Sequence, residues 1–377
     1  MTCDYKNLPH QGIQTLAPYI PGKSIEELAR DKGLTDIIKL ASNENPRGCS
    51  PRVQEALAAL NNSQISTYPI PSTHPLLVKL AEKLAINVDM LCLGHGSDAL
   101  FQLLIICFAL HQNKHILTHD YAFQTYGILA KTFGVSLVST PVLNDWQVDI
   151  DAMISAGNEK TALIFLANPN NPTGTFLHHT KIERLLNAIP ESTILVLDEA
   201  YYEYLDPAEN FDTISLLKKF PNLVITRTFS KGYGLAGLRL GYAIAHPDIR
   251  GLLQKVALPF TISQTALTAG LAALEDEPFV RQSAELNRQE LSRVRYALEA
   301  RDYYCLPSFA NFITFDCKMD GGILYNALLN EGIIVRPLHP YGLTNYLRVT
   351  IGTPAQNTRF LDTLARITTT KRILSNE

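Results

Sequence analysis

The sequence predicts an α/β chain: a large domain on a mostly parallel sheet flanked by helices, a smaller α+β domain after it, and an N-terminal arm before it. Three observations lead there. Short runs of Val, Ile and Leu without polar alternation recur through the middle of the chain, as in strands buried on both faces. Amphipathic helical stretches separate these runs, and strand–helix–strand repetition implies parallel pairing. After Glu277-Pro278 the pattern changes to one long charged helix followed by further strands. At 377 residues the chain also exceeds what one ordinary core supports.

Taken in order, the stretch that includes Tyr19-Ile20-Pro21-Gly22 reads as an extended arm. Ser24 and Glu27 form a capping box for a first helix, Ser24 to Asp31. Residues 1–40 are expected to pack with the small domain. Ser50-Pro51 opens another helix, with Ser at the cap and Pro in the first turn. The apolar runs are His115–Thr118, Ala162–Ala167, Ile194–Leu197, Leu223–Thr226 and Arg239–Ala245, and they belong to a large domain over residues 41–277. The small domain, 278–377, holds a helix from Phe279 to about Arg301, strands near Asn311–Phe315, Ile333–Arg336 and Tyr346–Ile351, and a last helix opened by Pro354.

Composition narrows the function. The net charge is −3, with no basic or acidic block, which argues against nucleic acid or an anionic membrane as partner. The N-terminus lacks an apolar signal core, and the most apolar run, Leu103–Leu110, is far too short to span a bilayer. The six cysteines are scattered, without CxxC spacing, so reduced cytosolic thiols and a cytoplasmic location are expected. The ten histidines show no metal-ligand spacing, and no metal is expected.

Polar residues follow three of the apolar runs: Asn168, Asp198 and Thr228. Open α/β sheets bind ligands at the carboxyl ends of their strands, so three segments deliver unusual residues to one edge. The stretch from Thr228 to Arg239 is the most informative. A lysine is ordinarily a solvated surface charge, yet Lys231 lies between hydroxyls and a Gly-rich apolar segment, eight residues before Arg239. Partial desolvation near other cations lets a lysine act as a neutral amine. Thr228, Ser230 and Arg239 supply phosphate ligands beside it. A Schiff-base lysine next to a phosphate cradle describes a pyridoxal phosphate site.

Asp198-Glu199 after four apolar residues also fits the acidic strand of a nucleotide hydrolase, but no GxxxxGK[ST] loop accompanies it. Asp198 can instead keep a cofactor ring nitrogen protonated, with Tyr201 donating to the ring's phenolic oxygen. Glu199 reads as a structural partner beneath the site. Asn168-Pro169-Asn170-Asn171-Pro172-Thr173-Gly174 is turn chemistry that places Asn171 at the same edge. Gly94-His95-Gly96-Ser97-Asp98 leads into the apolar helix Ala99–Leu110, whose N-terminus offers N–H groups to a phosphate.

Together the NPxNPTG, DEAY and SKxxGLAGLRxG segments resemble the fold-type I pyridoxal-phosphate aminotransferases over essentially the whole chain, in that family's order. The resemblance implies a seven-stranded type of sheet in the large domain. Lys231 would carry the cofactor and shuttle the proton, Asp198 would pair with the pyridinium nitrogen, and Asn171 and Tyr201 would hold the phenolic oxygen. Gly96, Ser97, Asp98, Thr228, Ser230 and Arg239 would bind the phosphate. Phe123 looks like the aromatic that stacks on the ring, with Tyr121 and Tyr126 as alternatives in the same segment. Tyr68 would reach the phosphate bound by a partner subunit, which implies a homodimer with shared sites.

Within that family, PYIPGKSIEEL, KLASNENPRG at 39–48, Tyr68-Pro69 and NYLRVTIGT resemble the histidinol-phosphate branch. The reaction implied is amino transfer from L-histidinol phosphate to 2-oxoglutarate, a step of histidine biosynthesis. Arg348 would accept the donor's phosphate and then the acceptor's carboxylate, and Arg336 looks like a second phosphate ligand. Tyr19 and Asn43 are expected to close the pocket. An aromatic or broad-specificity aminotransferase, or a decarboxylase of phosphorylated amino acids, would share nearly every motif.

Overall fold

A computed structural model describes residues 3–18, 22–209 and 211–374, with side chains through 368. Tyr19 therefore lies outside the described residues.

The strands fall into three sheets. In chain order they are β1 (Ile38–Lys39), β2 (Leu91–His95), β3 (His115–His119), β4 (Ser136–Thr140), β5 (Thr161–Ala167), β6 (Ile194–Asp198), β7 (Leu223–Thr228), β8 (Leu240–Ile244), β9 (Phe312–Asp316), β10 (Ile333–Ile334), β11 (Arg336–Leu338) and β12 (Leu343–Thr350). The seven-stranded sheet has the order β2-β8-β7-β6-β5-β3-β4. Only β8 runs against its neighbours; it pairs antiparallel with β7 and β2. The α/β class and mostly parallel sheet are as the sequence predicts.

The unbroken apolar runs are explained by burial on both sheet faces. Along β5 and β6, Ile164, Leu166, Leu195 and Leu197 enter one core cluster. Their neighbours Leu163, Phe165, Ile194 and Val196 enter the other, following the two-residue period of a strand. Two strands of the seven-stranded sheet do not appear among the predicted runs. β4, Ser-Leu-Val-Ser-Thr, is an edge strand exposed at its first four residues, so it lacks a buried apolar run. β2 ends in Gly94-His95, which reads as a turn, yet Gly94 pairs with Gly241 across the sheet.

Ser24 caps the first helix as predicted, with one half of the capping box: its Oγ accepts from Glu27 N at 3.1 Å, and the helix runs Ile25–Lys32. Ser50 caps Pro51–Ala58. The long charged helix is Glu277–Glu299 and the last is Pro354–Leu374. β9, β11 and β12 form an antiparallel sheet in the order β11-β12-β9. They enclose a third core around Phe315, Phe360 and Leu347. β1 joins that part of the chain by pairing in parallel with β10. The segment after β1 thus starts beside the C-terminal strands and passes directly into the site.

Candidate active site

One cavity of about 430 Å3 gathers the carboxyl ends of β5, β6 and β7, the start of the helix Gly96–Phe108, the segment after β1, and β11 and β12. Asn171, Asp198, Tyr201, Thr228, Ser230, Lys231, Arg239, Ser97, Asp98, Phe123, Asn43, Arg336 and Arg348 all line it. Residues more than two hundred apart in sequence meet there.

The lysine loop is shaped by glycines. Gly234 has φ +72°, and a Cβ there would lie 1.9 Å from Gly48 O, so only glycine fits. The segment 42–48 runs against this loop: Asn45 Nδ2 donates to Gly232 O at 3.0 Å, and Lys231 Nζ donates to Ser42 O at 2.9 Å. Burial, assisted by Arg348 and Arg239, pulls the Lys231 ammonium down to about 8. A neutral amine is therefore accessible near physiological pH.

Asp198 is almost fully buried. Tyr126 Oη donates to its Oδ2 at 2.7 Å and Thr226 Oγ1 to its Oδ1 at 3.2 Å. Burial nevertheless pushes the carboxyl up to about 7. A carboxylate this poorly solvated would be stabilised by a cationic partner, such as the protonated ring nitrogen of a bound cofactor. Tyr126 is fully buried and packed face to face on Phe165 at 4.7 Å. Tyr121 packs against Trp146. Of the three aromatics weighed for ring stacking, only Phe123 lines the cavity. Tyr126 orients Asp198 instead, a role that sequence spacing does not reveal.

The anion end of the cavity is built from three segments, around Gly96–Asp98, Thr228–Ser230 and Arg239. Arg239 donates through Nη1 to Ser230 Oγ at 3.3 Å, and its Nη2 pairs with Asp98 Oδ2 at 3.3 Å. Gly96, at φ +74°, opens the helix, and a Cβ there would sit 2.6 Å from Arg239 Nη2. Ser230 N donates to Thr228 Oγ1 at 3.1 Å. Hydroxyls, a guanidinium and free helix N–H groups converge, which is the donor set a phosphate needs. Asp98's carboxylate is engaged by Arg239, so its part in an anion site is its backbone N–H.

Asn168 closes the loop after β5 by bonding Leu177 from both ends of its amide, at 3.0 and 2.7 Å. Asn171 Oδ1 accepts from Arg348 Nη1, which leaves Asn171 Nδ2 to donate into the cavity. Arg348 Nη2 donates to Ala41 O at 2.7 Å. Asn43, expected at the substrate pocket, lines the cavity and donates from Nδ2 to Tyr201 Oη at 2.8 Å. Its own backbone and side chain are held by Thr350 and Asn311. Glu199 bonds Arg227 and Thr213 beneath the sheet edge, the structural part expected of it.

Gln102 in the apolar helix, Gln124 and Thr125 beside Phe123, and Tyr341 after Arg336 also line the cavity, although none of them is singled out from sequence. Tyr68 does not line it; the residue is 77% exposed and stacks on Phe260 at 4.6 Å.

The model of aminotransferase class I and II matches residues 35–364. The chain belongs to that aminotransferase family. Histidinol-phosphate aminotransferase 2 of Legionella pneumophila (strain Lens) is 52% identical over 97% of this chain and 99% of that protein. Histidinol-phosphate aminotransferase 1 of Mannheimia succiniciproducens is 43% identical over 94% of this chain and 96% of that one. Among solved structures, histidinol-phosphate aminotransferase from Sinorhizobium meliloti in complex with pyridoxal-5'-phosphate superposes with a TM-score of 0.85. It is 26% identical and covers 96% of this chain and 98% of that one. Among the described residues of this aminotransferase, no helix is long and apolar enough to cross a membrane, and no cluster of three or more His, Cys, Asp or Glu suits a metal.

Proposed function

We propose that this aminotransferase moves the amino group of L-histidinol phosphate to 2-oxoglutarate, giving imidazole-acetol phosphate and L-glutamate in histidine biosynthesis, with pyridoxal 5'-phosphate as cofactor. One observation carries the phosphorylated donor. Arg336 stands directly opposite Arg348 across the antiparallel pair of β11 and β12, and both line the cavity. Like charges directly opposite on a sheet are destabilising unless an anion sits between them. Histidinol phosphate has no α-carboxylate; its phosphate ester takes that position, and its dianion suits two guanidiniums better than a carboxylate does.

Bound pyridoxal phosphate supplies the electron sink that makes the donor's Cα–H acidic. Lys231 Nζ, depressed toward neutrality, takes up and returns the proton at Cα. Asp198 balances the ring's positive charge, with Tyr126 and Thr226 fixing its carboxylate. Asn171 Nδ2 and Tyr201 Oη would donate to the phenolic oxygen, Phe123 would cover the ring, and Thr228, Ser230, Arg239 and the N–H groups of Gly96, Ser97 and Asp98 would hold the phosphate. Arg348 serves both half-reactions, taking first a phosphate and then the α-carboxylate of the oxo acid. This reading keeps residues 41–277 as the cofactor-binding domain and 278–377, with 1–40, as the smaller one.

A charge-assisted contact to phosphate contributes roughly 1.5–3 kcal/mol. Arg336→Ala should therefore lower kcat/KM for histidinol phosphate by about 10- to 100-fold, and for unphosphorylated histidinol much less. Equal losses on both donors would remove Arg336 from phosphate recognition.

The active unit is a homodimer in this reading. Tyr68, Ile65, Ile70, Leu258 and Phe260 are all exposed, an apolar surface that suits an interface. Tyr68 would reach the partner's cofactor phosphate from there. Sedimentation at assay concentration should give a dimer; a fully active monomer would contradict it.

A further inference from the structure

A second cavity, of about 490 Å3, shares no residue with the first. It is lined by Glu203 and Arg227 and walled by Tyr202, Tyr204, Tyr233 and Tyr242. Its electrostatics are lopsided. The buried cation is ion-paired: Arg227 Nε donates to Glu199 Oε2 at 2.8 Å, Thr213 bonds the other Glu199 oxygen, and the Tyr202 ring covers the guanidinium at 3.4 Å, although Nη2 makes no hydrogen bond among the described residues. The carboxylate is not. Glu203 Oε2 is buried with no hydrogen-bond partner among the described residues.

The other acids of this cavity are already paired, Glu277 with Lys83, and Asp206 and Glu285 with Arg288. Arg281 lines the same cavity, is exposed, and has no ion pair among the described residues. The charged groups of the cavity without an ion pair among the described residues are thus one buried anion within tyrosine walls and one outer cation. An unpaired buried carboxylate favours a cationic partner, and aromatic faces add to its attraction.

We propose that this cavity is a second ligand site, for a small zwitterion whose guanidinium or ammonium group meets Glu203 while its carboxylate meets Arg281. The site adjoins the catalytic lysine. A Cβ on Gly232 would sit 2.7 Å from Glu203 Cβ and 3.2 Å from its Oε2, so Glu203 rests against the residue that follows Lys231. A ligand drawn to Glu203 therefore presses on the loop that carries Lys231.

The test is calorimetric titration of the cofactor-loaded enzyme with 4-guanidinobutyrate, which has both charges and no α-amino group to donate. Saturable binding is expected, weakened at least about tenfold in Glu203→Gln and less in Arg281→Ala. An independent readout needs no variant. Burial pushes Glu203 up to about 7, with Arg227 and Lys83 favouring its anion and Glu199 opposing it. Tyr204, Tyr233 and Tyr242, also facing it, are held neutral by burial. Affinity in the unaltered enzyme should therefore fall about tenfold from pH 8 to pH 6 as Glu203 takes up a proton. No saturable binding, or binding indifferent to both Glu203→Gln and this pH change, overturns the proposal. The second result would place the probe in the first cavity, on Arg336 and Arg348.

Discussion

Lys231→Ala gives a folded protein that still binds pyridoxal phosphate and does not turn over. The side chains of Thr228, Ser230 and Arg239 are untouched, and Asp198, Asn171, Phe123 and the start of the helix Gly96–Phe108 come from other segments, so cofactor affinity should survive in part. The proton at the donor Cα loses the one lysine that lines the cavity among the described residues: Lys231 Nζ lies 2.9 Å from Ser42 O and is held near neutrality by burial. Removing a residue that acts both as nucleophile and as acid–base removes effects of 10²–10⁴ for the proton transfer alone. A loss on the order of 10⁴-fold or more is expected. Borohydride reduction of the native enzyme and peptide mapping should place the cofactor label on Lys231; a label on another lysine defeats the assignment.

Asp198→Asn separates activity from stability. With the cofactor bound, a neutral amide cannot hold the ring's positive charge, and the half-reaction should slow on the order of 10³-fold or more. Without cofactor the same change is favourable. Asp198 is raised from 3.8 to about 7 by burial, so the folded chain binds this proton more tightly than the unfolded chain does. The cost of burying the anion is absent below pH 3.8, grows as pH rises, and is complete above 7, reaching at most about 4 kcal/mol. The asparagine variant escapes it. Cofactor-free Asp198→Asn should therefore gain melting temperature relative to the cofactor-free parent between pH 5 and pH 8. A variant equally active in the half-reaction would make Asp198 merely structural.

Much of this was legible in the sequence for a physical reason. A strand buried on both faces tolerates few polar groups, so Asn168, Asp198 and Thr228 at the ends of such strands stand out; Asp198 and Thr228 line the cavity, while Asn168 closes the loop that carries Asn171 to it. The glycines and hydroxyls around Lys231 carry similar information, because Gly234 admits no side chain against Gly48. What packing alone decides was not legible. Tyr126 and Phe123 are three residues apart, and which one turns beneath Asp198 depends on how the helix Gln124–Phe133 lies on Phe165. The exposed edge strand Ser136–Thr140 has no buried run to announce it. The reversed direction of β8 follows from the short Gly-rich connection after β7, which leaves no room for a crossover helix. Nor does spacing show that Arg336 and Arg348 face each other; that is a matter of register.

That register leads to the most direct test of the account, a comparison of kcat/KM for histidinol phosphate, histidinol and phenylalanine on the same enzyme. Two charge-assisted phosphate contacts, at roughly 1.5–3 kcal/mol each, correspond to something on the order of 10²–10⁴ in kcat/KM. Histidinol should be the poorer donor by about that factor. Phenylalanine should also trail, since its carboxylate engages Arg348 and leaves Arg336 without a phosphate. Phenylalanine or plain histidinol reacting as efficiently as histidinol phosphate would contradict the account and leave a broad-specificity aminotransferase in its place.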